Sequence, residues 1–137
     1  MKALICHCRN YSSEVTRLSD TPIGIVPEAI SEGLLIANDA IVALVTVERG
    51  DNIDIVVPRL ATEVRKMCRD TRHRRVILLP FAHLSGDLAD PDTSLTIIQR
   101  LADILCDLQP TRAHFGSDKK LLLDIYGHKG SVRFRQF

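Results

Sequence analysis

The chain has no tryptophan and only four phenylalanines and two tyrosines among its 137 residues. Aliphatic side chains must therefore fill the core of what is, at this length, a single domain spanning residues 1–137. The sequence also lacks an excess of one charge. Eighteen Lys and Arg face seventeen Asp and Glu, a net charge of +1, which excludes attraction to nucleic acid through bulk charge while leaving room for a local basic patch. The longest apolar runs are strand-sized, far short of the roughly 20 residues of a membrane span. "MKALICHC" at the start carries no extended apolar region leading to a small-residue cleavage site. The expectation is a cytoplasmic protein with reduced thiols and no membrane partner.

Template motifs are missing too. There is no GxGxxG, Walker sequence, HExxH, Cys-x-x-Cys or nucleophile elbow. Cys6-His7-Cys8 resembles metal chemistry, but alternation along a strand puts the two cysteines on one face and His7 on the other. With Cys68 and Cys106 they read as small apolar thiols, and no metal or cofactor is expected.

What is present is a series of strong elements. Residues 2–8 read as a central strand, and 9–33, broken by Pro22, Gly24 and Pro27, as a polar segment followed by an irregular excursion. "DAIVALVTVERGD" from Asp39 is a second strand closed by Gly50-Asp51. Leu60, Val64, Met67 and Cys68 recur at helical spacing, predicting an amphipathic helix over 58–71 with Pro58 in its first turn. Val76–Leu79 is a buried strand. A second helix begins within "ADPD" and runs through Leu95, Ile98, Leu101, Leu105 and Leu108 to the stop at Pro110. A strand at 120–126, a turn at 127–130 and an alternating strand from Val132 complete the chain. That last strand sets Val132, Phe134 and Gln136 against Arg133, Arg135 and Phe137. The order β-β-α-β-α-β-β suits an α+β fold in which two main helices cover a largely antiparallel sheet, with a second sheet or ribbon behind.

Chemistry concentrates in few places. "VILLPFAHLSGDL" ends a buried strand by presenting His83 and Ser85, and strand ends are where open sheets carry function; loop capping is the alternative. "GSDKK" places two lysines after Gly116, suited to stabilising negative charge or to a solvated turn. "RKMCRDTRHRR" gathers Arg65, Lys66, Arg69, Arg72, Arg74 and Arg75 into either a phosphate-facing patch or a solvated face. His114 and His128 are ambiguous by themselves.

Together these segments resemble the N-terminal editing domain of archaeal-type threonyl-tRNA synthetases, whose fold is D-aminoacyl-tRNA deacylase-like. The most specific match is "PFAHLSGDLADP" at 80–91. Weaker matches are the opening strand with His7, "SEV" at 13–15, "VALVTVERGD" from Val42, "HFGSDKK" from His114 and the Gly127-His128 pair. The resemblance covers almost the whole chain. It implies hydrolysis of the ester joining wrongly attached serine to the 3′-terminal adenosine of threonine tRNA, using an activated water and the substrate's own ribose hydroxyl. Lys119 (Lys120 if the register is shifted by one) and His83 would be the catalytic groups. Phe81, Ala82, Ser85, Phe115, Gly116, Lys120 and His128 would contact substrate, and His7 would floor the same pocket.

The implied partners are the acceptor end of the tRNA, a second copy in a homodimer, and a larger synthetase to which the chain belongs or binds. A deacylase of the same fold acting on D-aminoacyl-tRNA, and a tRNA-binding module with a decayed pocket, are the alternatives. The chain departs from the family pattern at several points. His114 replaces a proline, Ser117 and Asp118 replace aromatic residues, and "KGSV" at 129–132 replaces Pro-Leu-Ala-Glu, so the late glutamate is absent.

Overall fold

A computed structural model describes all residues, 1–137. One mixed sheet carries six strands: β1 (Lys2–Leu18), β2 (Leu34–Thr46), β3 (Arg75–Pro80), β4 (Thr111–Arg112), β5 (Ser117–Ile125) and β6 (Val132–Gln136). Their order is β4-β3-β2-β1-β5, and β6 also pairs with β1. Ladders to β1 are antiparallel, whereas β2-β3 and β3-β4 are parallel. The parallel pairs require crossovers, which α1 (Ile53–Thr71) and α2 (Pro91–Ile104) supply. The α+β architecture with two main helices stands, with this parallel flank added to a largely antiparallel sheet.

Several boundaries differ from the sequence reading, among them β5, which runs Ser117–Ile125 and not 120–126. β1 continues to Leu18 and β2 starts at Leu34, because the polar residues 10–14 pair with β2 on one side and β5 on the other. Only 19–33 remain irregular. Helix α1 begins five residues before Pro58: Asn52 caps it by accepting from the Asp54 N–H at 3.0 Å. Pro58 lies inside the helix, which still places Val56, Val57, Leu60, Ala61, Val64, Met67 and Cys68 on one buried face. The second helix ends at Ile104, and a separate 3₁₀ turn covers Cys106–Leu108. No helix is long and apolar enough to cross a membrane.

Alternation along β1 separates two cores. Ala3 and Ile5 face the helices, in a cluster with Ile41, Ala43, Leu60, Val64, Met67, Ile98 and Leu101. Cys6 and Cys8 point the other way, joining Tyr11, Ala37, Val42, Leu44, Ile77 and Leu79. This second cluster is buried without a helix over it because the β1-β2 ribbon folds back. At the bend the Arg9–Asp39 pair drops out of the ladder, Asp39 has φ +51°, and the β5 register shifts between Cys8 and Asn10. Such a bulge increases bend and twist, so the outer half of the ribbon brings Leu35, Leu121 and Leu123 down over the inner half.

On β6 the expected faces hold, and the arginine face turns inward. Arg133 donates to Asp70 at 2.7 Å and Arg135 to Glu63 at 2.6 Å, both carboxylates lying on α1. Val132 and Phe134 are left exposed.

Candidate functional site

The motif turn is built by the end of β3. Proline at 80 has no N–H to extend a ladder, and the chain enters a single 3₁₀ turn, Ala82–Leu84. Its first residue is pinned to β2: the Phe81 N–H donates to the Val45 carbonyl at 2.9 Å, and the buried Thr46 hydroxyl donates to the Phe81 carbonyl. A 3₁₀ turn leaves its leading N–H groups without partners inside the turn, here those of the exposed residues Ala82 and His83 on an anchored backbone. His83 is exposed, its ring edge-on to Phe81 with centroids 5.1 Å apart.

Ser85 does not present a free hydroxyl. Its Oγ donates to Glu48 Oε1 at 2.5 Å and accepts from Lys2 Nζ at 3.2 Å. Lys2 Nζ also lies 2.9 Å from Glu48, and the Met1 ammonium lies 3.1 Å from its other oxygen. The hydrogen bonds from Ser85 and Lys2 hold the Glu48 carboxyl down at about 2. This latch ties the loop after β3 to the loop after β2.

The second part of the site is carried by β5. Alternation turns Lys119, Leu121, Leu123 and Ile125 inward, and Lys120, Leu122 and Asp124 outward. Lys120 is exposed beside Glu14, whereas Lys119 is half-buried. Lys119 lines a cleft of about 270 Å³ with Ser13, Val15, Glu28, Arg112 and His114. Burial lowers its pKa, opposed by Asp118 and Glu28, and Nζ donates to the Ser117 carbonyl at 2.9 Å.

Segment 19–33 straps this cleft. Glu28 accepts from Arg112 at 2.9 Å and from the Phe115 N–H at 2.9 Å, bonds that outweigh burial and lower its pKa. His114 spans the Glu28 carbonyl and Ser117 Oγ, each at 2.8 Å. Gly116 has φ +77°, and a Cβ there would lie 2.9 Å from Pro27 Cα, so glycine lets the strap close. Phe115 is buried beneath it.

The two parts meet through the apolar cluster on which both Phe81 and Leu121 pack; no hydrogen bond or ion pair joins 80–85 to 114–120.

His7 and His128 belong elsewhere. His7, 5% exposed, faces the helix side, so it does not floor the pocket: alternation puts it opposite Cys6 and Cys8. Its Nδ1 lies 2.8 Å from His128 Nε2 and its Nε2 lies 2.7 Å from His73 Nδ1. His73 carries no sequence signal for this meeting, since it lies at the end of α1 and the contact is purely tertiary.

A bent, largely antiparallel sheet with two helices on one face defines the D-aminoacyl-tRNA deacylase-like fold. The solved structure of the c-Myc DNA Unwinding Element Binding Protein shares it, with a TM-score of 0.68 over 100% of this chain and 99% of its own at 12% identity, a likeness of fold alone. Residues 1–137 match the archaea-specific editing domain of threonyl-tRNA synthetase, and the chain belongs to that family. It is 34% identical over 132 residues to a threonine–tRNA ligase of Staphylothermus marinus, covering 93% of this chain and 21% of that protein. It is 30% identical over 129 residues to a threonine–tRNA ligase editing subunit of Saccharolobus solfataricus, covering 93% of this chain and 32% of that subunit. The chain thus spans between about a fifth and a third of the length of these relatives.

Proposed function

We propose that this chain hydrolyses the ester of seryl-tRNA(Thr), releasing serine and free tRNA. The observation that carries the reading is the motif turn: Phe81 and Thr46 fix its backbone at the exposed residues Ala82 and His83, whose N–H groups, without partners inside the turn, receive a carbonyl or a developing oxyanion. An aminoacyl ester is already activated, so a positioned water and oxyanion stabilisation are sufficient chemistry. Lys119 supplies positive charge from the cleft wall, His83 shapes the rim, and the substrate's ribose hydroxyl assists the water. Serine and threonine differ by a methyl, worth only about 1–3 kcal/mol by attraction, so selectivity requires steric exclusion of threonine. Phe115 and Gly116 contribute as the packed base of the strap.

The exposed apolar pair Val132 and Phe134 on the edge strand β6 supports a homodimer. The relatives' lengths support action within or beside a larger synthetase.

The test is hydrolysis of seryl- and threonyl-tRNA(Thr), with D-aminoacyl esters alongside. Loss of serine with threonine spared is expected. Cleavage of D-esters alone would replace this reading with a D-aminoacyl-tRNA deacylase. A folded chain that turns over none of them would support the tRNA-binding module, a reading favoured by Val132 standing where the family carries a carboxylate.

A further inference from the structure

The arginines of this chain divide by partner. Arg17, Arg49, Arg65, Arg112, Arg133 and Arg135 each pair with a carboxylate. Arg9, Arg59, Arg69, Arg72, Arg74, Arg75 and Arg100 do not, and all are exposed. Arg59 and Arg100 stand apart on the two helices. The other five gather where α1 ends, β3 begins and the β1-β2 ribbon bends.

The gathering has a fixed frame. Residues 126–131 leave the sheet between β5 and β6 opposite His7, whose backbone holds both ends: its N–H donates to the Ser131 carbonyl at 2.8 Å, and its carbonyl accepts from Tyr126 at 3.0 Å. The His7 ring then bridges this loop to the end of α1. His128 Nδ1 donates to the Lys129 carbonyl at 3.1 Å, which leaves Nε2 to accept from His7 Nδ1 and His7 Nε2 to accept from His73 Nδ1. Tyr126 stacks on His7 with centroids 4.3 Å apart, and its hydroxyl donates to Asp39. Arg9 lies 5.2 Å above the Tyr126 ring. The histidine chain therefore links the loop that carries Lys129 to the end of α1, next to Arg72. His73 Nε2 is left without a protein partner. Asp39, bonded to Tyr126, is the carboxylate that acts on His7.

We infer that Arg9, Arg72, Arg75 and Lys129, carried by the ribbon bend, the end of α1, the start of β3 and the 126–131 loop, form a binding surface for RNA phosphodiesters. Cations without carboxylate partners in a chain of net charge +1 are where phosphates gain most, since each contact releases condensed counterions. β3 connects the surface to the motif turn, with Arg75 at its start and Pro80 at its end, about 20 Å of extended chain. An RNA whose 3′ end reaches that turn lays phosphates further along its strand over this surface. The inference rests on the proposed function for the identity of the RNA.

The experiment measures binding of uncharged tRNA(Thr) to the full chain across a salt series. Variants are the double Arg72→Ala/Arg75→Ala, with Arg59→Ala/Arg100→Ala as the matched control. Near-ultraviolet and thermal profiles verify folding of both. The first pair is expected to lose about tenfold in affinity and to reduce the slope of log K against log salt by about 1–2, with the control unchanged. Equal losses in both pairs, an unchanged slope in the first, or no binding at low salt would overturn the surface. Full displacement of tRNA by inorganic phosphate at matched ionic strength would overturn an RNA site in favour of a free-phosphate site. Seryl-ester hydrolysis measured in parallel on a seryl-adenosine fragment separates the two claims. Turnover with no dependence of tRNA binding on the patch removes the surface alone. Patch-dependent binding without turnover removes the hydrolase alone.

Discussion

Ser85 Oγ lies 2.5 Å from Glu48 Oε1, joining the loop after β3 to the loop after β2 in a network with Lys2 and the Met1 ammonium. Glu48 is held at about 2, below its unfolded value near 4.3. The unfolded chain therefore binds more protons between those values, and the stabilisation is full above about pH 4.5 and lost as pH falls toward 2. Glu48→Gln is expected to lower stability by about 1–2 kcal/mol at neutral pH and to flatten the acid limb. Urea midpoints between pH 7 and 3 check both.

Lys119 and Lys120 are neighbours with opposite environments. Lys119→Ala is expected to reduce seryl-tRNA hydrolysis by roughly 10–100-fold, and Lys120→Ala by less than about twofold. Burial lowers the Lys119 pKa, so the rate should fall on the alkaline side at a pH below the ordinary lysine range. A pH–rate profile on both variants is the measurement.

The strap depends on Gly116. Its φ is +77°, and an added methyl carbon would sit 2.9 Å from Pro27 Cα, so Gly116→Ala is expected to cost about 1–2 kcal/mol or more. It should also open segment 19–33, read as faster amide exchange at Glu28 and Phe115, whose N–H groups bridge strap and cleft.

His7 gains nothing from protonation in the folded chain. Burial lowers its pKa, and the neighbouring His73 and His128 lower it further against a partial opposition from Asp39. The unfolded histidine takes a proton near pH 6.5, so stability should decline as pH falls below that value. In His7→Gln this decline should be shallower across pH 7.5–5.5, as measured by thermal midpoints.

The four thiols should react unequally. Burial pushes Cys6 and Cys68 up to about 11 and Cys8 up to about 12, whereas Cys106 is exposed. A colourimetric thiol reagent at neutral pH is expected to titrate one thiol quickly and the remaining three only on unfolding.

Much of this is legible along the chain. A continuous apolar run locates β3, alternation locates β6 and the opposed faces of Cys6 and His7, and helical spacing locates the buried stripe of α1, because these periods follow from local backbone geometry. The same alternation, applied to β5, separates Lys119 from Lys120. The polar half of β1 reads as irregular because Asn10–Glu14 owe their strand conformation to two neighbouring strands, not to their own side chains.

Which groups meet is a tertiary decision. The bulge at Arg9 and Asp39 folds the ribbon so that Leu35 and Leu121 cover the inner sheet, and no composition or period encodes that bend. The latch from Ser85 to Glu48 joins residues 37 positions apart, and the histidine chain from His128 through His7 to His73 spans contacts 121 and 66 positions apart. Local periodicity assigns each side chain a face; only closure of the sheet, driven by burial of its two aliphatic clusters, determines what stands opposite.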